Sequence, residues 1–257
     1  MKNSASGDTV LDRILRILSA FDVHRRQLPI AELSRLTDIP LATTYRLVTQ
    51  LTAEDILTRF ANGTVGLGMR LWELAARSSP ALSLRTAAMP FLDDVQAIFR
   101  RHTQLSILDD QEVLVVVRLA SRNSVLNQAT VATRMPIHTV SMGLVQLAFQ
   151  PAHTISEYFT AHPRAASMSY PGTGDINATL SEIRKTGYSM LDGMLDDGTT
   201  GAAVPVFNTL TGRNRLAIAA ISVVIPEDFE QRSAVIPVLL AASRGLSRSL
   251  HPAPDTP

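Results

Sequence analysis

Apolar residues recur at helical spacing from near the start of the chain. In LDRILRILSAF, Leu11, Ile14, Leu15, Leu18 and Phe21 form one stripe with Asp12, Arg13 and Arg16 outside it, which predicts an amphipathic helix. Pro29 opens a second such segment, IAELSRLT; proline suits a first helical position because its missing N–H would have no partner there. After the turn Thr37-Asp38-Ile39, Pro40 opens a third, LATTYRLVTQL. Three short helices, the last two joined by a tight turn, have the spacing of a helix-turn-helix. The period then changes. ILTRF and TVGLG flank Ala61-Asn62-Gly63, and two short β-like runs around Asn-Gly predict a hairpin, which directly behind a helix-turn-helix reads as a wing. Helical periodicity resumes in MRLWELAARSS, and Ser78-Ser79-Pro80 ends it, placing a domain boundary near Pro80.

Beyond Pro80 the pattern is mixed. Helical spacing covers Leu84 to His102, Met142 to Phe149, Ile176 to Thr186 and a final PEDFEQRSAVIPVLLAASRGLSRSL. Strand-like runs are QLSILD, EVLVVVRLA, AAVPVF and RLAIAAISVVI, the first two separated by a turn at Asp110-Gln111. Strand pairs interspersed with helices predict an α+β domain on a mainly antiparallel sheet.

Composition narrows the classes. The 257 residues, 46% of them apolar, suffice for one large domain or two modest ones. No apolar run approaches the roughly 20 residues of a membrane helix, and the polar start MKNSASGDTV lacks the apolar stretch of a signal peptide. A soluble, cytoplasmic protein without membrane contact is the expectation. With no cysteine there is no thiol nucleophile or thiolate metal site, and six scattered histidines form no ligand motif, so no metal or cofactor is expected. A net charge of +1 means that any DNA contact must be local.

On the third helix Thr44, Leu47, Val48 and Leu51 share one side at steps of three and four and should pack inward. The other side presents Ala42, Thr43, Tyr45, Arg46, Thr49 and Gln50. Threonine and tyrosine hydroxyls reach phosphate, and arginine grips guanine O6 and N7 or a phosphate. Alone, this side suits a solvated helix as well as a DNA-reading one. The hairpin adds Arg59 and Asn62 beside it, where a wing reaches phosphate or the minor groove.

Taken in order, these segments resemble the IclR family of bacterial transcriptional regulators. The first 79 residues are similar to its winged-helix half: LDRILRILSAF, IAELSRLTDIPLATTYRLVTQL, the wing, then LGMRLWELA. MPIHTVSMGLVQLAF is similar to the family's LPLH-x-(S/T)-x-x-GKA-x-LA segment; IRKTGYSM follows, and TTGAAVPVFN and AIAAISVVIP are similar to its AAPV and AALSVSGP strands. The resemblance implies a winged helix-turn-helix DNA-binding domain at residues 8–79 and a GAF/PAS-like effector-binding and oligomerisation domain at 80–257. It also implies a pseudo-palindromic double-stranded operator, a small catabolic metabolite as effector, a homodimer or homotetramer, and no catalysis. The DNA-contacting set would be Leu41, Ala42, Thr43, Tyr45 and Arg46, supported by Arg13, Arg59 and Asn62. Two family glycines are Asp38 and Asp55 here; both positions call for φ > 0, which aspartate tolerates better than most residues. Leu41-Ala42 replaces a polar pair, often Lys-Ser, which either removes phosphate contacts or exchanges polar base readout for apolar contact with thymine methyls, so the operator sequence does not carry over.

The effector pocket implied by the resemblance includes Met135, Ser141, Met142, Gly143, Asp192, Gly201, Ser222 and Val224. Each residue also has a plainer reading: the methionines as core filler, Ser141 as a helix cap, Gly143 as a close-packing position. Gly201 replaces a cysteine, Val224 a serine and Leu144 a lysine of the family pattern, which implies a roomier, less polar pocket and a larger or aromatic ligand. The alternative is a small-molecule-processing enzyme or a sensor that does not bind DNA. For the enzyme there is no G-x-S-x-G, H-E-x-x-H, phosphate-loop or dinucleotide motif. The glycine cluster Pro171–Asp175 reads as a loop, and His138 as a structural residue that orients the pocket loop. The adjacent acidic pairs Asp93-Asp94, Asp109-Asp110 and Asp196-Asp197 point apart and read as turns and solvated faces.

Overall fold

The computed structural model describes residues 8–22, 24–120, 130–170, 172–194, 196–209 and 215–251. The chain divides between Leu82 and Ser83 into two compact units.

The first unit holds α1 (Val10–Ser19), α2 (Ile30–Thr37), α3 (Leu41–Ala53), β1 (Leu57–Arg59), β2 (Val65–Leu67) and α4 (Met69–Ser78). Thr9 starts α1 with a capping box: its hydroxyl accepts from the Asp12 amide at 3.1 Å, and Asp12 Oδ2 accepts from the Thr9 amide at 2.9 Å. The buried face of α1 centres on Ile17, with Ile14, Leu18 and Phe21 beside it, whereas Leu11 and Leu15 are 63% and 52% exposed. The apolar stripe read from the sequence is thus wider than the face the core uses. Pro29 and Pro40 stand one position earlier than expected, as N-caps of α2 and α3; their carbonyls accept from Leu33 and Thr44 at 3.0 and 2.9 Å. Asp38 and Asp55 do adopt left-handed backbone, with φ of 53° and 56°. Asp38 thereby ends α2 and lets the chain turn into α3, whose inner side is Thr44, Leu47, Val48 and Leu51. The hairpin pairs Leu57 with Leu67 and Arg59 with Val65, and its second strand is also bridged to Leu28 just ahead of α2.

The second unit runs from α5 (Pro80–Phe99), whose first residues precede the division, through β3 (His102–Asp109), β4 (Glu112–Leu119), β5 (Arg134–Pro136) and a 3-10 turn (Ile137–Thr139) to α6 (Ser141–Leu147). It continues with α7 (Ala152–Ala161), α8 (Pro163–Ala166), α9 (Ile176–Thr186), β6 (Ser189–Asp192), β7 (Thr199–Phe207), β8 (Ala217–Pro226) and α10 (Arg232–Ser249). The six strands form one antiparallel sheet in the order β5-β4-β3-β8-β7-β6, the α+β arrangement expected. One boundary differs: α5 ends at Phe99, Arg100 takes φ 51°, and His102 already belongs to β3.

Strand alternation divides the core between the two sheet faces. Ala202, Val204, Val206, Ile221 and Val223 pack against α5 and α10, while Ala203 and Ala220 face α6 and the helices around it. A bulge at Leu105/Ser106 adds one residue, Val116, to β4, so that Val113 and Val115 reach the α6 side while Val117 stays on the other. The small residues opposite α6 let it lie close to the sheet, and all seven of its residues are buried. Among the described residues no helix is long and apolar enough to cross a membrane.

Candidate functional site

The exposed side of α3 and the hairpin supply one surface. Leu41 and Tyr45 are 46% and 49% exposed, Ala42 and Arg46 are exposed, and Thr43 is half-buried. Thr44, turned inward, donates its hydroxyl to the main-chain oxygens of Ile39 and Pro40, each at 3.2 Å, which locks the start of α3. The Thr44 amide bonds Pro40, so the amides of Leu41, Ala42 and Thr43 have no partner within the helix. They give the start of α3 a positive end suited to phosphate. Arg46 and Arg59 are exposed and have no carboxylate partner among the described residues. Arg13 differs, sitting 3.6 Å from Asp8, which Arg16 also engages. Asn62 Oδ1 accepts from the Thr64 amide at 3.1 Å and hydroxyl at 2.6 Å, so it shapes the hairpin loop and offers only its amide N–H groups outward.

The second unit holds a cavity of about 50 Å³ between the start of α6 and the β6, β7 and β8 strands. Five of the residues proposed from sequence meet there: Ser141, Met142, Gly201, Ser222 and Val224. Gly201 leaves room for the Ser141 hydroxyl: a Cβ on it would stand 2.7 Å from Ser141 Oγ and push that side chain to another rotamer. Ser141 is the first residue of α6, and the cap position falls to Val140, so the serine hydroxyl is not spent as an N-cap.

The other three residues lie outside the lining. Met135 is buried in the core beside Val113 and Ile137. Gly143 packs against main chain, where a Cβ would meet Ile137 O at 2.2 Å. Asp192 turns to Arg232, whose terminal nitrogen lies 2.8 and 2.9 Å from its two oxygens, and it accepts from the Thr200 hydroxyl at 2.6 Å. Burial pushes the Asp192 carboxyl up, but the bonds from Thr200 and Arg232 and the arginine charge outweigh it and hold it below the usual carboxylate range.

The sequence missed Thr139, Val140, Leu191, Met194, Asp196, Thr199 and Val223, which complete the lining. Three of the seven, Leu191, Met194 and Asp196, come from β6 and the loop into β7, and β6 is too short to show a period. Asp196, read as a solvated turn residue, lines the cavity, while its main-chain oxygen accepts from the Thr199 hydroxyl at 2.7 Å. No cation occurs among the described lining residues. The polar side chains are four hydroxyls and the Asp196 carboxylate, and one of the hydroxyls, Ser222 Oγ, donates back into the core to Gln104 Oε1 at 3.3 Å.

His138 positions the segment that carries Thr139 to Met142. Its Nδ1 lies 2.6 Å from the Tyr158 hydroxyl, Tyr170 donates to its main-chain oxygen at 2.9 Å, and Tyr158 stacks on His162 at 4.5 Å. Burial first, and the His162 charge second, lower the His138 pKa below its ordinary 6.5. A depressed histidine pKa favours the neutral ring in the fold. Its stabilisation is therefore complete above pH 6.5 and is lost as pH falls toward the lowered value. Thermal melts should show the second unit weakening as pH falls below 6.5. His138→Gln should flatten that slope, and an unchanged slope would remove His138 as its source.

Comparison with known proteins matches both units. A family model described as the bacterial transcriptional regulator IclR C-terminal domain matches residues 78–248, and one described as the IclR helix-turn-helix domain matches residues 10–61. An IclR homolog from Microbacterium hydrocarbonoxydans, solved in complex with 4-hydroxybenzoate, is 33% identical, aligns over 95% of this chain and 100% of its own, and superposes with a TM-score of 0.80. The Pca regulon regulatory protein of Pseudomonas putida is 27% identical over 251 residues, covering 94% of this chain and 84% of that protein. The chain belongs to the IclR family of bacterial transcriptional regulators, with an N-terminal helix-turn-helix domain for DNA and a C-terminal domain for a small-molecule effector.

Proposed function

We propose that this protein is a cytoplasmic regulator that reads a pseudo-palindromic operator as a homodimer or homotetramer, and that an aromatic or larger organic acid in the C-terminal cavity sets operator occupancy. The DNA-binding domain spans residues 8–79 and the effector and oligomerisation domain 80–257. The observation that carries the reading is the exposed α3 face, where Thr43, Tyr45 and the unpaired Arg46 stand in the same unit as a wing bearing the unpaired Arg59. Thr43, Tyr45 and Arg46 enter the major groove, the α3 amides and Arg59 hold phosphate, and Leu41 and Ala42 contact thymine methyls. Arg13, paired to Asp8, and Asn62, committed to its loop, support the surface from its edges.

Assembly is supported by the apolar surface left on α1 and α4, including Leu11, Leu15, Met69 and Trp72, the last 63% exposed. Such residues on a small unit are suited to a partner copy. The effector reading is supported by the mainly apolar lining and by Met142 and Met194, flexible side chains that can make room for a ring. It is also supported by the similarity to the homolog that holds 4-hydroxybenzoate. Of the lining hydroxyls, those of Thr139, Thr199 and Ser222 donate within the fold, to Pro136 O, Asp196 O and Gln104 Oε1, so the Ser141 hydroxyl at the start of α6 would receive the acid. No catalytic role is assigned, because these hydroxyls have no histidine or lysine beside them in the described lining to activate one.

Calorimetric titration of the full-length protein with 4-hydroxybenzoate, benzoate, glyoxylate and pyruvate tests the effector class. The expected result is binding of the aromatic acids and not of the two- and three-carbon acids; the reverse preference would overturn it.

A further inference from the structure

A second cleft, distinct from the effector cavity, opens where the ends of α6 and α9 meet β7 and α10. It has a volume of about 270 Å³. Its apolar surface comes from Phe149, Pro205, Phe207 and Leu240, and its cations are Arg184, Lys185, Arg215 and Arg244, with no acidic residue among the described lining residues. Phe149 meets Phe207 edge-to-face at 5.0 Å, and the Arg215 guanidinium lies 4.2 Å from the centre of the Phe207 ring. Arg184 donates its Nε to Ala148 O at 2.7 Å, which fixes the side chain and leaves its terminal nitrogens available. Lys185 pairs with Glu182 at 3.6 Å, but Arg184, Arg215 and Arg244 have no carboxylate partner among the described residues. The serines of the cleft are engaged internally: Ser243 donates to Pro205 O, and Ser247 Oγ accepts from the Phe207 amide at 3.1 Å.

Three uncompensated guanidiniums around an aromatic floor call for an anion, since a planar fork of N–H donors matches a carboxylate or phosphate. The floor selects between these, because Phe149, Phe207, Pro205 and Leu240 gain from an apolar body and not from a fully hydrated ion. The effector cavity has the opposite chemistry, with hydroxyls, the Asp196 carboxylate and no cation among its described lining residues. We propose that this cleft is a second small-molecule site, which takes an organic carboxylate with an apolar or aromatic body.

The test uses full-length protein and 4-fluorobenzoate, observed by fluorine NMR. Three forms are compared: the unaltered protein, Gly201→Val, which crowds the effector cavity and leaves the cleft alone, and the arginine variant, in which Arg215→Gln/Arg244→Gln is added to Gly201→Val so that the effector cavity contributes no binding. The expected result is a binding event that persists in Gly201→Val and weakens tenfold or more in the arginine variant. Neutral 4-fluorobenzyl alcohol should not reproduce it, and inorganic phosphate should displace the probe only at tenfold or greater excess. Both arginines are exposed and outside the core, so the variant should melt like the parent. The proposal is overturned by absence of binding, by binding that survives in the arginine variant, by loss in Gly201→Val alone, or by phosphate competing as well as benzoate. Each of these outcomes leaves operator binding and its release to be judged separately.

Discussion

Replacing Gly143 by alanine is expected to destabilise the C-terminal domain by about 3 kcal/mol and abolish effector binding, although the new residue is the better helix former. Alanine gains about 1 kcal/mol of helix propensity over glycine. Against that, the added Cβ would stand 2.2 Å from Ile137 O and 2.8 Å from Ile137 C and Cα, all main-chain atoms that no side-chain rotation can move aside. Relief requires α6 to separate from the 3-10 turn, and the residues between and just beyond them, Thr139 to Met142, are cavity lining. For a domain of this size the unfolding midpoint should drop by roughly 6–12 °C. DNA affinity of the first unit should be retained while the effector response disappears. An unaltered melt would show that the backbone approach is looser than this packing.

Arg46→Ala is expected to weaken operator binding by about 1–3 kcal/mol, roughly 5- to 150-fold, if the guanidinium reads a base. In that case specificity relaxes at one position of each half-site. If it grips phosphate instead, binding falls across all sequences and the salt slope drops by about one. Arg46 has no intramolecular carboxylate partner, so nothing within the fold is lost with it and stability should be unchanged. Binding measured at several salt concentrations separates the two modes. Unchanged affinity and slope would take Arg46 out of the interface.

These two residues show where the sequence was informative. Arg46 was legible because α3 and its wing are local structures: helical period, proline caps and an Asn-Gly turn set which side of α3 faces out. The left-handed turns at Asp38 and Asp55 followed from the family pattern and stand in the fold. Gly143, in contrast, reads equally as a ligand contact or a close-packing position, because sequence shows proximity along the chain and not that Ile137 folds back onto it. Asp192 went the same way, since its partner Arg232 lies 40 residues later. Asp196 was missed because two adjacent acids read as a turn, and only the crossing from β6 to β7 brings one of them to the cavity. Leu11 and Leu15 belonged to a true apolar stripe, but a single sequence does not show which part of it an intramolecular core covers.

The most direct test of the central claim is an effector-dependent binding measurement on the intergenic DNA beside this gene, comparing the unaltered chain with Gly201→Val at fixed salt. The expected result is sequence-specific binding by both, shifted by 4-hydroxybenzoate or a related aromatic acid in the unaltered chain alone. Failure of the unaltered chain to prefer that DNA over unrelated DNA would contradict the claim, as would an effector response that persists with the cavity filled.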